Sequence, residues 1–153
     1  MVTISPEALG DPDAQALIAR LNAELTELYP DPNDRHFGLT EEQVSGDNGV
    51  FLLARRDGVP VGCGALRRIA PTTGEIKRMY VSPAARGAKV GRRLLEELER
   101  QAHALSITRV VLETGPHQKE ALGLYDSAGY RPIPAWGEYV NSPLSICLGK
   151  DLT

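Results

Sequence analysis

Residues 81–99, VSPAARGAKVGRRLLEELE, change character halfway along their length. The first half holds a proline, small residues and two spaced glycines, Gly87 and Gly91, whereas the second half has leucines and glutamates at helical spacing. Where the helix is expected to begin lie four cationic residues: Arg86, Lys89, Arg92 and Arg93. Positive charge at a helix N-terminus opposes the helix dipole. Either this stretch is a solvated basic loop, or an anion from outside the chain binds there.

The first half of the chain predicts a helix followed by an antiparallel meander. Asp11 followed by Pro12 is typical of a helix start, and leucines recur at helical spacing after them. The dipeptide Asp57-Gly58 lies between two β-type segments and predicts a hairpin turn. The run EIKRMYV, residues 75–81, predicts a third strand of the same meander.

The second half of the chain predicts helix, strand, helix and final strands. Residues 94–105 carry one apolar stripe, and RVVLET at 109–114 predicts a covered strand. A short helix is expected over 121–128, ended by Gly129, with YRPI and LSICL as the last strands. This order predicts a single α/β (α+β) domain over residues 1–153, with helices on both faces of one sheet.

Composition narrows the class of protein. Of the 153 residues, 42% are hydrophobic and 24% are charged, as in an ordinary globular protein. The net charge of −3 argues against a general nucleic-acid binder, and the sequence has no long apolar run or secretory signal, so we expect a cytoplasmic protein. Cys63 and Cys147 lie in apolar segments and are expected to be buried thiols. The three histidines lack the spacing of a zinc site, so no metal is expected.

Common phosphate-binding motifs do not describe the basic stretch. GAKVGRR, residues 87–93, has neither the spacing nor the Lys-Ser/Thr ending of a P-loop, and GCGALR, residues 62–67, lacks the third glycine of a dinucleotide fingerprint. Neither GxSxG nor HExxH occurs. A strand that leads through a glycine-containing loop into a helix can still aim backbone N–H groups at a phosphate.

A family resemblance fits this arrangement. RGAKVG, residues 86–91, resembles the Arg/Gln-x-x-Gly-x-Gly/Ala pyrophosphate loop of the GNAT superfamily of acetyl-CoA-dependent N-acetyltransferases. GEIKRMYVSP upstream is similar to the family's fourth strand, and VVLETG and QKEALGLYDSAGY downstream are similar to its fifth strand and following helix. These blocks span about residues 74–131 in the family's order. The resemblance implies a mixed, mostly antiparallel central sheet of six to seven strands with helices on both faces.

The resemblance implies that acetyl-CoA lies where the fourth and fifth strands separate. The backbone of the fourth strand would run along the pantetheine arm, with the Met79 N–H as a donor to the thioester oxygen. Lys89 departs from the family pattern, which prefers glycine there. Gln118 either caps the following helix or contacts the cofactor. The residues expected to contact acetyl-CoA are Met79, Tyr80, Val81, Arg86, Gly87, Ala88, Lys89, Val90, Gly91, Arg92 and Gln118.

Two side chains are expected to move protons. Tyr125 aligns with the family's tyrosine that protonates the departing thiolate; alternatively, it only belongs to the apolar stripe of its helix. Glu75 lies where some members keep a catalytic glutamate that accepts the amine proton. The alternative for Glu75 is a solvated strand end.

The acceptor implied by this chemistry is a primary amine of a small molecule, an amino acid or a peptide. The family's acceptor cleft corresponds here to the following residues: 29–39, Arg67, Arg68, Arg78 and 135–140. Such arginines either bind a substrate carboxylate or are solvated strand ends. Strand alternation predicts that Arg78 faces away from both Lys77 and Met79.

Two other classes of protein stay open at this point. A non-catalytic acyl-CoA-sensing module would keep the RGAKVG loop without needing Tyr125 or Glu75. A nucleic-acid-binding protein would use RGAKVGRR as a basic patch, but the net negative charge and the lack of interleaved aromatic residues argue against it. We therefore expect no nucleic acid or membrane as partner, and leave a homodimer open.

Overall fold

The computed structural model describes residues 1–87 and 89–152. Its helices and strands, in chain order, are β1 (Val2–Pro6), α1 (Pro12–Leu28), β2 (Gly49–Arg56), β3 (Val59–Ala70), β4 (Thr73–Val81), α2 (Val90–Ala104), β5 (Arg109–Thr114), α3 (Lys119–Ser127), β6 (Arg131–Pro132) and β7 (Ile146–Asp151). A 3₁₀ turn at Gly137–Tyr139 lies between β6 and β7.

The strands form one sheet in the order β1-β2-β3-β4-β5-β7-β6. β4 and β5 run parallel, and the other adjacent pairs are antiparallel. The expected mostly antiparallel sheet of six to seven strands is therefore confirmed. The domain boundaries, residues 1–153, stay a prediction.

Helices cover both faces of the sheet, as the sequence predicts. On one face, Leu17 and Leu21 of α1 pack in a core with Phe51. On the other face, Leu94 of α2 packs in a core with Leu52. Because Phe51 and Leu52 are neighbours on β2, alternate side chains of that strand meet opposite helices.

Local sequence signals produce the first helix and the first hairpin. The Asp11 carboxylate accepts hydrogen bonds from the backbone N–H groups of Asp13 and Ala14, at 2.9 and 3.3 Å, and so caps α1. Asp57 and Gly58 both have positive φ, +51° and +85°, as a type I′ turn requires. That turn joins β2 to β3 in the predicted position.

A bulge interrupts β4 and corrects one prediction. Cys63 of β3 pairs with Tyr80, and Ala65 pairs with Lys77, so β4 holds one residue more than β3 across this interval. Arg78 has a φ of +59° within it. The extra residue breaks the alternation of the strand. The prediction that Arg78 faces away from Lys77 is therefore wrong, since both line the same cavity on the α1 side of the sheet.

The strands β4 and β5 pair only over a short distance. Their register runs from Thr73 opposite Arg109 to Ile76 opposite Leu112, and β4 then continues to Val81 without β5 as a neighbour. The backbone of β4 beyond Ile76 is therefore open on its β5 side. The bulge lies just past the last pair and turns β4 away from β5.

Residues 1–87 and 89–152 hold neither a membrane-spanning helix nor a cluster of metal-ligating side chains. No helix there has the length and hydropathy needed to cross a bilayer. No three His, Cys, Asp or Glu side chains are grouped closely enough to hold a metal ion.

The two cysteines are expected to resist thiol reagents in the folded protein. Both are buried, and burial raises the pKa of the Cys63 thiol to about 12 and also raises the pKa of Cys147. A raised pKa keeps a thiol protonated at neutral pH, whereas the thiolate is the reactive form. Titration with a disulfide reagent at pH 7 to 8 should detect no fast-reacting thiol in the native protein and both thiols in denaturant. One equivalent reacting rapidly before unfolding would contradict the burial.

Candidate active site

A groove opens where β4 and β5 separate. It has a volume of about 550 Å³ and lies between the end of β4, the start of α2, α3 and the second half of α1. Among its apolar walls are Leu21 and Leu28 of α1 and Leu124 of α3. A groove beside an open strand edge suits a long ligand that pairs with the backbone of that strand.

The residues expected to contact the cofactor come together along this groove. Ala88 lies outside the described residues. The other expected residues all line it: Met79, Tyr80, Val81, Arg86, Gly87, Lys89, Val90, Gly91, Arg92 and Gln118.

The start of α2 presents to the groove backbone donors that have no acceptor among the described residues. Lys89 is the N-cap residue and makes no side-chain cap, and the first turn holds no acidic residue. Among the described residues, no acceptor is found for the N–H groups of Gly87, Val90 and Gly91. Unused N–H groups at a helix N-terminus, together with the helix dipole, form a site for an anion.

Lys89 adopts the conformation in which the family pattern has glycine. Its φ and ψ are +62° and +21°, in the left-handed region. The departure noted in the sequence is therefore accommodated by a lysine held in a conformation that glycine adopts more readily.

Three of the four basic side chains of this stretch already have partners within the protein, and Arg93 donates to the carbonyl of Val2 at 2.9 Å. Arg86 donates through Nη2 to both carboxylate oxygens of Glu24 on α1, at 2.8 and 3.0 Å, and through Nε to the carbonyl of Val81 at 2.9 Å. Arg92 donates to the hydroxyl of Ser127. An anion that binds Arg86 must therefore compete with Glu24.

A second cavity adjoins the groove. It lies between α1, the segment after α1, the middle of β4, the end of β5 and Tyr139. It shares four residues with the groove: Leu21, Met79, Gln118 and Tyr125. Two ligands, one in each space, would therefore meet beside Met79 and Tyr125. We call this second space the acceptor cavity.

Tyr125 lies where the groove and the acceptor cavity meet. The residue is 5% exposed, and its hydroxyl makes no hydrogen bond to the described residues. Its ring contacts Tyr130 edge to face, with 5.8 Å between centroids. Burial, together with the Glu113 carboxylate, raises the pKa of Tyr125 above its usual value. The hydroxyl therefore stays protonated at neutral pH and is available to donate a proton.

Gln118 does not cap α3. It occupies the N-cap position without a side-chain cap, so the capping interpretation is wrong. Its Oε1 instead accepts a hydrogen bond from the hydroxyl of Tyr29 at 3.4 Å. Tyr29 fits closely over Gly115, because a Cβ there would lie 2.0 Å from the Tyr29 hydroxyl. This packing joins α1 to the connection between β5 and α3.

Glu75 is fully buried, and the interpretation as a solvated strand end is wrong. Its Oε1 accepts from Nε and Nη2 of Arg67 at 2.8 and 2.7 Å, and its Oε2 accepts from the hydroxyl of Tyr139 at 2.5 Å. Burial raises the pKa of Tyr139, and the Glu75 charge adds to the shift. Lys77 donates to the same hydroxyl at 3.5 Å, and burial lowers its pKa.

The three arginines expected in the acceptor cleft have different roles. Arg67 pairs with Glu75, and Arg68 donates to the backbone carbonyls of Asp47, Pro71 and Leu105. Neither is among the residues that line the acceptor cavity, whereas Arg78 is. The predicted arginine cluster is therefore reduced to one member.

Glu113 is a functional candidate that the sequence analysis missed. It lines the acceptor cavity, and burial raises the pKa of its carboxyl group. Its Oε2 accepts a hydrogen bond from the Ser145 hydroxyl at 2.6 Å. A chain of hydrogen bonds continues from Ser145 to Ser142 at 2.8 Å, from Ser142 to His36 at 3.0 Å, and from His36 to Glu138 at 2.9 Å. A single acidic residue inside the strand run RVVLET was the only available signal.

Comparisons with known proteins agree with this architecture. The sequence profile of the acetyltransferase (GNAT) family matches residues 14–130. A protein from Azospirillum brasilense named IAA acetyltransferase is 39% identical over 155 residues, covering 99% of this chain and 98% of that protein.

Solved structures give the same result. The chain is 34% identical to a Klebsiella pneumoniae protein described as an acyl-CoA N-acyltransferase, with a TM-score of 0.85 and coverage of 100% and 99% of the two chains. A GNAT family acetyltransferase from Elizabethkingia anophelis, solved with acetyl-CoA bound, shares the fold at 22% identity, with a TM-score of 0.69 and coverage of 99% and 98%.

The fold and these matches define an acyltransferase enzyme. The chain belongs to the GNAT family of acetyltransferases, whose members use acetyl-CoA. The resemblance drawn from residues 74–131 is confirmed, and the named acetyltransferase relatives do not support a non-catalytic sensor.

Substitutions of Lys89 should test the left-handed conformation. A non-glycine residue there is disfavoured by roughly 1 kcal/mol, and a β-branched residue by more. We expect Lys89→Gly to melt at or above the wild-type temperature and Lys89→Val to melt below it, as measured by circular dichroism. A valine variant more stable than the glycine variant would contradict the assigned conformation.

Proposed function

We propose that this enzyme transfers the acetyl group of acetyl-CoA directly to a primary amine of a small molecule, an amino acid or a peptide. Tyr125 acts as general acid toward the departing coenzyme A thiolate. The observation that carries this proposal is the position of Tyr125, which lines both the groove and the acceptor cavity and whose protonated hydroxyl has no hydrogen-bond partner among the described residues. An amine in the cavity and a thioester in the groove would react beside it.

The groove is the proposed acetyl-CoA site. The unused N–H groups at the start of α2 would bind the pyrophosphate, with Lys89 adding positive charge. The open edge of β4 would pair with the pantetheine arm. The Met79 N–H would donate to the thioester oxygen and so stabilise the oxyanion of the tetrahedral intermediate. When bound, acetyl-CoA supplies the activated acetyl group.

Glu75 is the proposed acceptor of the amine proton, acting through Tyr139. Tyr139 lines the acceptor cavity and donates to Glu75. As the amine attacks, its proton passes to the Tyr139 oxygen while the Tyr139 proton passes to Glu75, so Glu75 ends protonated. A second candidate is Glu113, favoured by its place on the cavity wall and by the hydrogen-bond chain that leads from it toward Glu138.

The relatives suggest where an acceptor search should begin. Because a 39% identical relative is named IAA acetyltransferase, we include IAA beside amines in the panel to be tested. Cytoplasmic location stays a prediction, and a homodimer stays open.

Replacing Tyr125 by phenylalanine should separate chemistry from packing. The variant keeps the buried ring, and the hydroxyl makes no hydrogen bond to the described residues, so the melting temperature and acetyl-CoA affinity should stay close to wild type. The turnover number should fall about 10²-fold, as expected for the loss of one proton-transfer group. Single-turnover measurement isolates the chemical step from product release.

Tyr130→Phe provides a matched control. The Tyr130 hydroxyl donates to Glu99 at 2.8 Å, away from both cavities. This variant should lose some thermal stability and keep its turnover number. Full single-turnover activity in Tyr125→Phe would return Tyr125 to a purely structural role.

The variants Glu75→Gln and Glu113→Gln should distinguish the two proton acceptors. An alkylamine with a pKa of about 10.4 is mostly protonated below that pH, so the loss of the base should matter most in mildly acidic solution. We expect Glu75→Gln to lower kcat by about 10²-fold or more near pH 6 and Glu113→Gln to keep the wild-type pH–rate profile. The reverse result would assign the role to Glu113.

A further inference from the structure

Arg78 is a buried cation that has no carboxylate partner among the described residues. It is 8% exposed, yet none of the ion pairs among the described residues includes it. Its nearest polar partner is the side-chain oxygen of Asn22 on α1, which accepts from Nη2, and the Phe37 ring lies 4.9 Å from its Cζ. Burial lowers the pKa of its guanidinium group. A buried charge of this kind is unfavourable unless an anion pairs with it.

Donors of this guanidinium stay available to a ligand. Within the described part of the chain, Nε and Nη1 of Arg78 make no hydrogen bond. Three side-chain atoms of the described residues lack a hydrogen bond and are also sealed from solvent: Arg56 Nη2, Ser82 Oγ and Thr114 Oγ1. No Arg78 atom is among them, so the unpaired Arg78 nitrogens are not sealed from solvent. Since Arg78 lines the acceptor cavity, its free N–H groups are accessible from that space.

The backbone bulge is what places the guanidinium there. Regular alternation from Lys77 would point the next side chain into the core around α2. The extra residue and the φ of +59° instead put Arg78 on the α1 side, beside Asn22 and Phe37. A non-glycine residue with positive φ is disfavoured by roughly 1–2 kcal/mol, so the strain accompanies the placement of a charge in the cavity.

The other charged side chains of this cavity have different partners from Arg78. Glu75 is neutralised by Arg67, and Lys77 lies close enough to Tyr139 to donate to its hydroxyl. Glu113 supplies a carboxylate that would attract a protonated amine. Arg35 and Lys77 also line the cavity outside the ion pairs of the described residues, but Arg35 donates to the Thr26 hydroxyl at 2.7 Å and Lys77 to Tyr139. The cavity thus offers Glu113 to an amine and, at Arg78, a buried guanidinium to an anion.

We propose that Arg78 binds a carboxylate of the acceptor, so that the acceptors of this enzyme are amines that also carry a carboxylate group. This inference rests on the proposed acetyl transfer to an amine. A guanidinium group suits a carboxylate ligand because it can donate two parallel hydrogen bonds to the two carboxylate oxygens. Phe37 stacks against the guanidinium, and Asn22 fixes its orientation.

The test compares amino acids with their carboxamides as acetyl acceptors. Wild-type enzyme should show a kcat/KM at least about 10²-fold higher for the carboxylate member of the preferred pair. Arg78→Met should raise the KM for that acid about 10²-fold and leave the KM for the carboxamide little changed. Arg78→Lys keeps the positive charge but loses the paired N–H donors, so its KM for the acid should lie between those of wild type and Arg78→Met. The exposed Arg109→Met variant is the control and should keep the wild-type preference. Comparing each pair across variants removes the effect of amidation on the amine pKa.

Two results would overturn the carboxylate site. One is equal use of acids and carboxamides by the wild type, and the other is an equal loss on both by a folded Arg78→Met. If no amine is acetylated, thermal stabilisation by N-acetyl amino acids decides the matter separately. Stabilisation of wild type but not of Arg78→Met would keep the carboxylate site and reject the proposed transfer, whereas equal or absent stabilisation would reject both.

Discussion

The structure depends on the short pairing between β4 and β5. Parallel strands that stayed paired to their ends would close the sheet, but here four residue pairs are followed by a bulge that turns β4 aside. The gap leaves a strand edge open, gives the groove its floor and brings the acceptor cavity against it. The position of Tyr125 matters because these two spaces meet beside it.

Much of the fold follows from local signals in the sequence. Asp11 caps α1, Asp57-Gly58 forms the hairpin, and the apolar stripe of α2 covers one face of the sheet. Each of these signals acts between neighbouring residues, so the pattern alone predicts it. The bulge could not be predicted in this way, because position 78 is an arginine and not the glycine or asparagine that usually adopts a positive φ.

The groove and the acceptor cavity also differ in how far neighbouring residues predict them. Half of the residues that line the groove fall within 79–92, which are close in sequence, so one motif located that part of it. The acceptor cavity combines segments that are far apart in the chain. Glu75 is buried because Arg67 and Tyr139 hold it, and Tyr139 is 64 positions away. No pattern around Glu75 records that partner, and Glu113 was missed for the same reason.

Helix α1 forms a wall of both spaces. Asn22 holds Arg78 in the acceptor cavity, and Glu24, on the same turn of the helix, holds Arg86 beside the groove. A phosphate that displaced Glu24 from Arg86 would remove one of these two contacts of α1 and alter the position of the helix turn that carries Asn22. Any such linkage is reciprocal, so an acceptor that tightened the Arg78 end would alter cofactor affinity by the same factor. The shared helix would therefore make the affinity of one space depend on whether the other is occupied.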